Sequence, residues 1–307
     1  MFSFSRFVPR PREFPSIALP NQVRWSSSKR WQARQHKDQF TREAAVQGLK
    51  SRAAFKLLQV FHLKRLVSVP CCSLERSAQI DERYRIFKRG QTVVDLGYAP
   101  GSWSQVAVSR TQPSGRVLGV DIIPAQPPKG VSTIQGNFLA PEIQAYIQEF
   151  LRDPNRGRLR SPGAIDGPGM SAVETELPGK ASDADPHTTA SERTVDVVLS
   201  DMSAPWHQTT GFWKRSLSNP YNRMMNTSGN AFRDHAGSMD LCNAALDFSS
   251  NVLRTGGHFV CKFYQGVEDK DLENRLKSLF QKVQRLKPES SRSESKESFF
   301  IGLDRKP

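Results

Sequence analysis

The stretch VVDLGYAPGSW, residues 93–103, constrains the fold more than any other part of the sequence. It begins with an apolar run typical of a buried strand, and Gly97 and Gly101 then mark a tight turn into a helix that starts near Trp103. In an open α/β sheet, ligands bind at the carboxyl end of such a strand. The stretch lacks the G-x-G-x-x-G pattern of dinucleotide sites and the GK[ST] ending of phosphate-binding loops. We therefore expect a ligand site of another kind here.

Further apolar runs alternate with helical patterns along the rest of the chain. Strands are predicted in GRVLGVD, STIQGNF, TVDVVLS, GGHFVCKFYQG and ESFFIGL. Helical periodicity is found in residues 40–59, 238–254 and 269–282, and Gly256 with Gly257 is predicted to end the second of these helices. Strands that alternate with helices predict an α/β fold, built on an open sheet with crossover connections.

An acidic residue at the end of the second strand helps to define the ligand. Asp121 closes GRVLGVD, 20 residues after Gly101, where a carboxylate can accept hydrogen bonds from both hydroxyls of an adenosine ribose. Because neither phosphate-binding motif is present, S-adenosylmethionine is favoured over NAD or ATP. The alternative is an ordinary turn followed by a structural aspartate.

The first 37 residues differ in composition from the rest of the chain. They are rich in Arg and Ser, and Glu13 is their only acidic residue, which is typical of a mitochondrial presequence cleaved between about Arg24 and Ser28. A disordered RNA-binding arm is the alternative.

Two later segments are predicted to be insertions. Residues 60–79 interrupt the passage from a helix to the strand at Thr92, either as a surface insertion or as a short in-frame intron retained in the gene model. Residues 152–193 are rich in Pro, Gly, Ser and Asp, a composition that predicts disorder.

The charge balance indicates a polyanionic partner. The net charge is +14 and the pI is 9.9, although a basic leader together with ordinary surface lysines is an alternative explanation. The 4 cysteines show no metal-ligand spacing, so we expect neither a zinc site nor another metal, and we expect a reducing compartment. Since no apolar run approaches the ~18 residues needed, no membrane span is expected.

Residues 205–234 are predicted to contact single-stranded RNA. They combine aromatic and basic side chains, which suit base stacking and phosphate binding: Trp206, Phe212, Trp213, Tyr221, Lys214, Arg215, Arg223 and Arg233. The ranges 50–52 and 287–292 are predicted to extend this basic face. A lid packed on the domain, or a dimer contact, is the alternative for the long segment.

A lysine lies at the centre of an apolar strand. Lys262 occupies the middle of GGHFVCKFYQG, although lysine is rarely buried without a partner. Asp201 follows the strand VDVVLS, and Glu297 precedes the terminal strand. Two carboxylates near Lys262 would compensate for its burial.

Six segments in order, KSRAAFKL, VDLGYAPGSWSQV, VDIIP, LSDMSAP, GGHFVCKFYQG and KPESSRSESKE, give the chain a family resemblance. From about residue 50 to residue 303 it resembles the FtsJ/RrmJ family of ribose 2′-O-methyltransferases, and most of all the branch that acts on mitochondrial large-subunit rRNA. The resemblance implies a Rossmann-like, S-adenosylmethionine-dependent methyltransferase domain over residues 38–307. It also implies a mostly parallel seven-stranded sheet with helices on both faces.

The resemblance also implies a set of site residues. Lys56, Asp201, Lys262 and Glu297 match the family's catalytic tetrad. Cofactor contacts carry over to a second set: Gly97, Pro100, Gly101, Trp103, Asp121, Asn137 and Asp201. Asn137 stands where the family usually has Asp, so an acceptor oxygen for the adenine amino group is kept but its charge is lost.

The implied function is ribose 2′-O-methylation of an A-loop uridine in the rRNA of an assembling particle, by a monomer in the mitochondrial matrix. Lys262 would act as base or as oxyanion stabiliser, and Lys56 would hold the hydroxyl or an adjacent phosphate. Two carboxylates raise a lysine pKa, which opposes the role of base. The main alternative is a non-catalytic ribosome assembly factor on the same fold, and the third is a small-molecule or protein methyltransferase.

Overall fold

The structure, a computed structural model, describes residues 37–60, 84, 86–158, 193–207, 222–223, 227–228 and 230–307. The helices are α1 (Gln39–Val46), α2 (Ala53–Val60), α3 (Ser102–Thr111), α4 (Pro141–Arg152), α5 (Ala231–Val252) and α6 (Asp269–Leu279). The strands are β1 (Thr92–Leu96), β2 (Arg116–Asp121), β3 (Val131–Gln135), β4 (Val195–Ser200), β5 (Trp206–His207), β6 (Asn222–Arg223), β7 (Leu253–Tyr264), β8 (Phe280–Leu286) and β9 (Glu297–Arg305).

Seven of the described strands form one sheet in the order β3-β2-β1-β4-β7-β9-β8. The pairs from β3 through to β7 are parallel, whereas β9 runs antiparallel to both of its neighbours. This confirms the predicted mostly parallel sheet of an α/β fold. The strand order reverses between β1 and β4, so a crevice opens there at the carboxyl ends of the strands.

Helices cover both faces of this sheet, because successive strand residues point to opposite sides. The side of β1 that carries Val94 packs against α4, α5 and α6, through residues such as Ile147 and Leu246. The side that carries Val93 packs against α2 and α3, through Leu57 and Val106. The prediction of helices on both faces is thus confirmed.

All three predicted helices differ from those observed. The helix predicted over residues 269–282 ends at Leu279, and residues 280–282 begin β8. The helix predicted over residues 40–59 is divided into α1 and α2, since the chain turns at Gly48, whose φ is 66°. The helix predicted from residue 238 begins at Ala231, where the Asn230 side chain accepts hydrogen bonds from the N–H groups of Phe232 and Arg233. It ends at Val252, so the two glycines predicted to end it lie within β7.

The predicted leader and insertions lie almost wholly outside the described residues, and they stay predictions. Of the range 152–193, the structure describes the end of α4, residues 153–158 and residue 193. Arg116 of β2 donates hydrogen bonds to the carbonyl oxygens of Leu151, Asp153 and Arg156, which holds residues 153–158 against the sheet. Residues 153–158, which were predicted to be disordered, are therefore ordered. In the ranges given above, no helix is long and apolar enough to cross a membrane.

Candidate active site

The four predicted catalytic side chains meet at the carboxyl edge of the central strands. Asp201 directly follows β4, and its N–H donates to the carbonyl oxygen of Leu96 at the end of β1 over 3.1 Å. Lys262 lies two residues before the end of β7. Glu297 begins the antiparallel strand β9, so it pairs with the last residue of β7, Tyr264. Lys56 reaches the same edge from α2.

Lys262 and Asp201 form the first of two ion pairs. The Nζ atom of Lys262 lies 2.7 Å from Asp201 Oδ1, 2.9 Å from the Asp201 carbonyl oxygen and 2.8 Å from Ser203 Oγ. The Lys262 side chain is only 1% exposed. Three oxygen atoms at these distances match the three N–H groups of an ammonium ion. Carboxylate and carbonyl oxygens only accept hydrogen bonds, whereas the Ser203 hydroxyl also donates.

Lys56 and Glu297 form the second ion pair. Lys56 Nζ lies 2.7 Å from Glu297 Oε2, and the Ser291 hydroxyl donates to Glu297 Oε1 over 2.7 Å. Burial acts to raise the pKa of Glu297, but the positive charges of Lys56 and Lys262, with both hydrogen bonds, outweigh it and leave the pKa below its usual value. Since the charge of Lys262 also acts on Glu297, the two pairs form one electrostatic cluster. We call Lys56, Asp201, Lys262 and Glu297 the tetrad.

The loop before β9 is held against α2, which fixes the position of Glu297. Gln59 Oε1 accepts a hydrogen bond from the Ser290 N–H over 2.6 Å, and the Arg52 guanidinium donates to the Ser290 carbonyl oxygen. Lys287 Nζ donates to two carbonyl oxygens of the same loop. Arg52 and Lys287, predicted from sequence to extend a basic face, are thus bonded within the protein.

Tyr264 is a site residue that the sequence analysis missed. It lies two residues after Lys262, on the same side of β7, and it is buried. Burial raises the pKa of its hydroxyl, and the charges of Glu297, Asp201 and Asp234 raise it further. The period-2 alternation of β7 is the signal that would have identified it.

The two glycines of the turn after β1 allow close approach between parts of the protein itself. Gly97 has a φ of 78°, and a Cβ atom there would lie 2.8 Å from Met202 Cα. Gly101 has a φ of 102°, and a Cβ there would lie 2.8 Å from Pro128 Cδ. Both conformations favour glycine. Gly97 thereby lets the loop that carries Asp201 pack against the end of β1.

Asp121 is held by the main chain at the end of β2. Its Oδ2 accepts a hydrogen bond from the Ala99 N–H and its Oδ1 accepts one from the Ile123 N–H, each over 2.9 Å. Burial raises its pKa in spite of these bonds. Each carboxylate oxygen has a second lone pair. The Asp121 carboxylate can therefore still accept the two hydroxyls of a ribose.

The other predicted cofactor residues occupy different environments. Asn137 is exposed, and its Oδ1 accepts a hydrogen bond from the Leu139 N–H over 3.1 Å. Pro100 is exposed in the turn. Trp103 is buried, and its indole N–H donates to the Ala53 carbonyl oxygen over 2.9 Å. A cofactor contact by Trp103 thus involves its main chain rather than the indole N–H, and all three roles stay predictions.

Asp95 in β1 is a second residue that the sequence analysis missed, although an acid within an apolar run was the available signal. It is fully buried, and its Oδ2 accepts a hydrogen bond from the Ser104 hydroxyl over 2.5 Å. Its Oδ1 has no hydrogen-bond partner in the described structure. Burial, with the charges of Asp201 and Asp121, raises the pKa of Asp95 to about 7. An orphaned oxygen among three mutually repelling carboxylates fits a ligand that carries positive charge.

The described ranges contain no group of three or more His, Cys, Asp or Glu side chains that could hold a metal ion. The three carboxylates at the ends of β1, β2 and β4 therefore influence one another through charge, without the geometry of a metal centre.

Several known proteins are similar to this chain in sequence or in fold. A family model described as FtsJ-like methyltransferase matches residues 76–305, a range that contains Asp201, Lys262 and Glu297 and begins after Lys56. A mitochondrial rRNA methyltransferase 2 from Saccharomyces cerevisiae is 41% identical over 303 residues, which cover 92% of this chain and 88% of the relative. The Schizosaccharomyces pombe protein of the same name is 33% identical over 277 residues, or 90% of this chain and 96% of the relative.

Similarity extends to bacterial proteins and to a solved structure. Ribosomal RNA large subunit methyltransferase E from Neisseria gonorrhoeae is 32% identical over 284 residues, covering 92% of this chain and 99% of the relative. A crystal structure from Plasmodium falciparum, described as a ribosomal RNA methyltransferase, aligns with a TM-score of 0.50 at 21% identity. It covers 83% of this chain and 98% of that chain, and this likeness concerns the fold alone.

Proposed function

The chain belongs to the FtsJ-like methyltransferase family, and we propose that it transfers a methyl group from S-adenosylmethionine to a ribose 2′-hydroxyl of ribosomal RNA. The observation that carries this proposal is the tetrad, in which two buried lysines are each held by a carboxylate at one edge of the sheet. Such an arrangement suits an acceptor that is a hydroxyl, since the reaction needs alignment of the oxygen atom and control of its proton.

The two lysines differ in the hydrogen bonds that they can offer. Lys262 already has three oxygen neighbours, whereas Lys56 has one hydrogen-bonded partner, Glu297, within the described chain. The spare N–H groups of Lys56 are thus available to hold the acceptor hydroxyl or an adjacent phosphate. Lys262 must exchange one partner for the 2′-oxygen, and the uncharged Ser203 hydroxyl is the one that is exchanged at the lowest cost.

The three oxygen neighbours of Lys262 match a donor of three hydrogen bonds, which bears on the choice between base and oxyanion stabiliser. As an ammonium ion, Lys262 stabilises the negative charge that develops on the 2′-oxygen as its proton leaves. The carboxylate of Asp201, which is 18% exposed and already paired with Lys262, is placed to accept that proton. Glu297 orients Lys56 through their ion pair.

The cofactor residues fit S-adenosylmethionine, which supplies an electrophilic methyl group and carries positive charge. The carboxylates of Asp95, Asp121 and Asp201 favour that charge, and the unpartnered Oδ1 of Asp95 offers an acceptor. Asp121 would accept the ribose hydroxyls of the cofactor, and Asn137 would lie beside the adenine.

We infer that the substrate is mitochondrial large-subunit rRNA, in an assembling ribosomal particle in the matrix, and that the protein acts as a monomer. The names of the two yeast relatives, the presequence-like composition of residues 1–37 and the net charge of +14 support this inference. The family resemblance favours a uridine of the A-loop as the target.

Mapping of ribose methylation in mitochondrial rRNA tests the proposal. Cells that lack the protein should lose one large-subunit mark, the wild-type gene should restore it, and a Lys262→Ala gene should not. An unchanged map with defective ribosome assembly would instead support a non-catalytic assembly factor. Purified wild-type protein and the Lys262→Ala variant, given labelled S-adenosylmethionine and a transcript of this rRNA, provide the direct comparison.

A further inference from the structure

Two exposed apolar side chains lie beside the proposed active site, and they are among the most exposed of their kind in the described structure. Phe232 is 78% exposed in the first turn of α5, and Val267 is 91% exposed in the loop that follows β7. A single exposed apolar side chain is ordinary, but two that lie close together can mark a binding surface. We call these two side chains the apolar platform.

One buried histidine joins the two parts of the chain that carry the apolar platform. His235 Nδ1 donates a hydrogen bond to the Tyr264 carbonyl oxygen over 2.7 Å, while its Nε2 accepts one from the Glu268 N–H over 3.1 Å. Phe232 lies three residues before His235, on the same side of α5. Val267 directly precedes Glu268. The first turn of α5 and the loop after β7 are therefore held together.

The same contacts place the apolar platform next to the tetrad. Tyr264, which His235 contacts, lies two residues from Lys262, which corresponds to about 7 Å along a strand. The Tyr264 hydroxyl is close enough to Glu297 and Asp201 for their charges to raise its pKa. Helix α5 begins at the carboxyl edge of the sheet because it follows β4 in a parallel crossover. The tetrad and the apolar platform thus lie at the same edge of the sheet.

The local charges favour an uncharged occupant over a phosphate group. Arg233 and Lys270 are exposed near the apolar platform, but so are Glu268 and Asp271, and these charges balance. A nucleobase presents an uncharged π face, and stacking on an aromatic side chain is the usual way in which proteins bind unpaired bases. The net charge of +14 brings the polyanion that carries such a base.

We propose that Phe232 stacks on an unpaired base that neighbours the methylated nucleotide, and that Val267 contacts the edge of that base. This proposal rests on the proposed function, since it names a further contact of the same RNA substrate. The apolar platform fixes the position of the RNA relative to Lys262 without taking part in methyl transfer.

The test pairs a change in the protein with a change in the RNA. Phe232→Ala should raise the KM for an A-loop transcript about tenfold or more, in line with the energy of one base–aromatic stack, and should leave kcat within about twofold. Phe232→Tyr should retain a KM close to that of the wild type. Val46→Ala, at an 87% exposed apolar residue of α1 outside the platform, is the matched control and should leave the KM unchanged.

Transcripts that lack one base at a time identify the stacked base. An abasic site at one position next to the target should raise the KM of the wild type about as much as Phe232→Ala does. The two changes together should raise the KM no further. A wild-type KM for Phe232→Ala overturns the proposal, as does full additivity with every abasic position, which would indicate a protein partner on the platform. If the wild type methylates no ribose in rRNA, the proposed function itself fails.

Discussion

Replacement of Glu297 by Gln separates the two contributions of the tetrad, to stability and to catalysis. The side chains of Lys56 and Glu297 are 10% and 5% exposed and lie 2.7 Å apart. Gln retains the shape of Glu297 and an oxygen for Ser291, but it leaves the ammonium group of Lys56 buried without an opposite charge. Loss of one partner from a buried ion pair costs about 3–5 kcal/mol. In this variant Lys262 keeps its partner Asp201, so Lys56 alone loses its counter-charge. We therefore expect a loss of stability at the lower end of this range, about 3 kcal/mol.

Thermal unfolding followed by circular dichroism measures this effect. A loss of about 3 kcal/mol lowers Tm by roughly 6–12 °C in a domain of this size. The pKa of Glu297 is lowered in the folded state, so the ion pair stabilises above the ordinary glutamate value and its contribution disappears as the pH falls through the lowered value. The Tm difference between wild type and Glu297→Gln should therefore shrink in acid.

Glu294→Gln is the matched control, because Glu294 lies in the same loop and is exposed. The double variant Lys56→Met/Glu297→Gln should be more stable than the sum of the two single changes predicts, by about 2 kcal/mol, since it leaves no lone buried charge. All three variants of this pair should lose methyl transfer. The electrostatic reasoning would be refuted if Glu297→Gln had the same Tm as the Glu294→Gln control. Strict additivity of the two single changes in the double variant would also refute it.

Three further outcomes are expected from the site geometry. Lys262→Ala should lower the rate of methyl transfer by about 10²–10⁴-fold while RNA affinity in a filter-binding assay stays close to that of the wild type; equal losses in both would contradict a role in the chemical step. Because the pKa of Asp95 is about 7 and a cationic ligand lowers it, calorimetry should show affinity for S-adenosylmethionine rising from about pH 6 and levelling off above about pH 7, and Asp95→Asn should abolish this dependence. Gly97→Ala should destabilise the protein by about 1–3 kcal/mol in urea unfolding, because its positive φ and the close approach of Met202 exclude a Cβ; unchanged stability would count against that packing.

The sheet was predictable because its signals are local. Asp201 follows an apolar run, Lys262 lies in the middle of another and Glu297 precedes a third, and the carboxyl ends of parallel strands converge. Lys56 was predicted only from the family resemblance. The start of α5 was not predictable in this way, since Asp234 and His235 interrupt its apolar periodicity; Asp234 accepts a hydrogen bond from the Ser228 N–H, and His235 is bonded to the distant Tyr264. Such tertiary partners cannot be identified from the spacing of residues within one helix.

The predicted cofactor site depends on local signals. The glycine turn after β1 and Asp121 are found within residues 93–121, whereas Asp95 in the same range was missed. The unpartnered oxygen of Asp95, by contrast, is a property of packing, and the sequence carries no pattern for it.

The pair Lys56–Glu297 joins residues 241 positions apart, and β9 lies between β7 and β8 in the sheet. The strand that comes last in sequence among those described is therefore an inner strand that completes both the sheet and the tetrad. A ribosome that is still translating residue 290 holds a chain in which β7 lacks one neighbour, β8 lacks its strand partner and Lys56 lacks its counter-charge. On the proposed function, competence for methyl transfer therefore depends on β9, and a chain without residues 297–307 should have no partial activity.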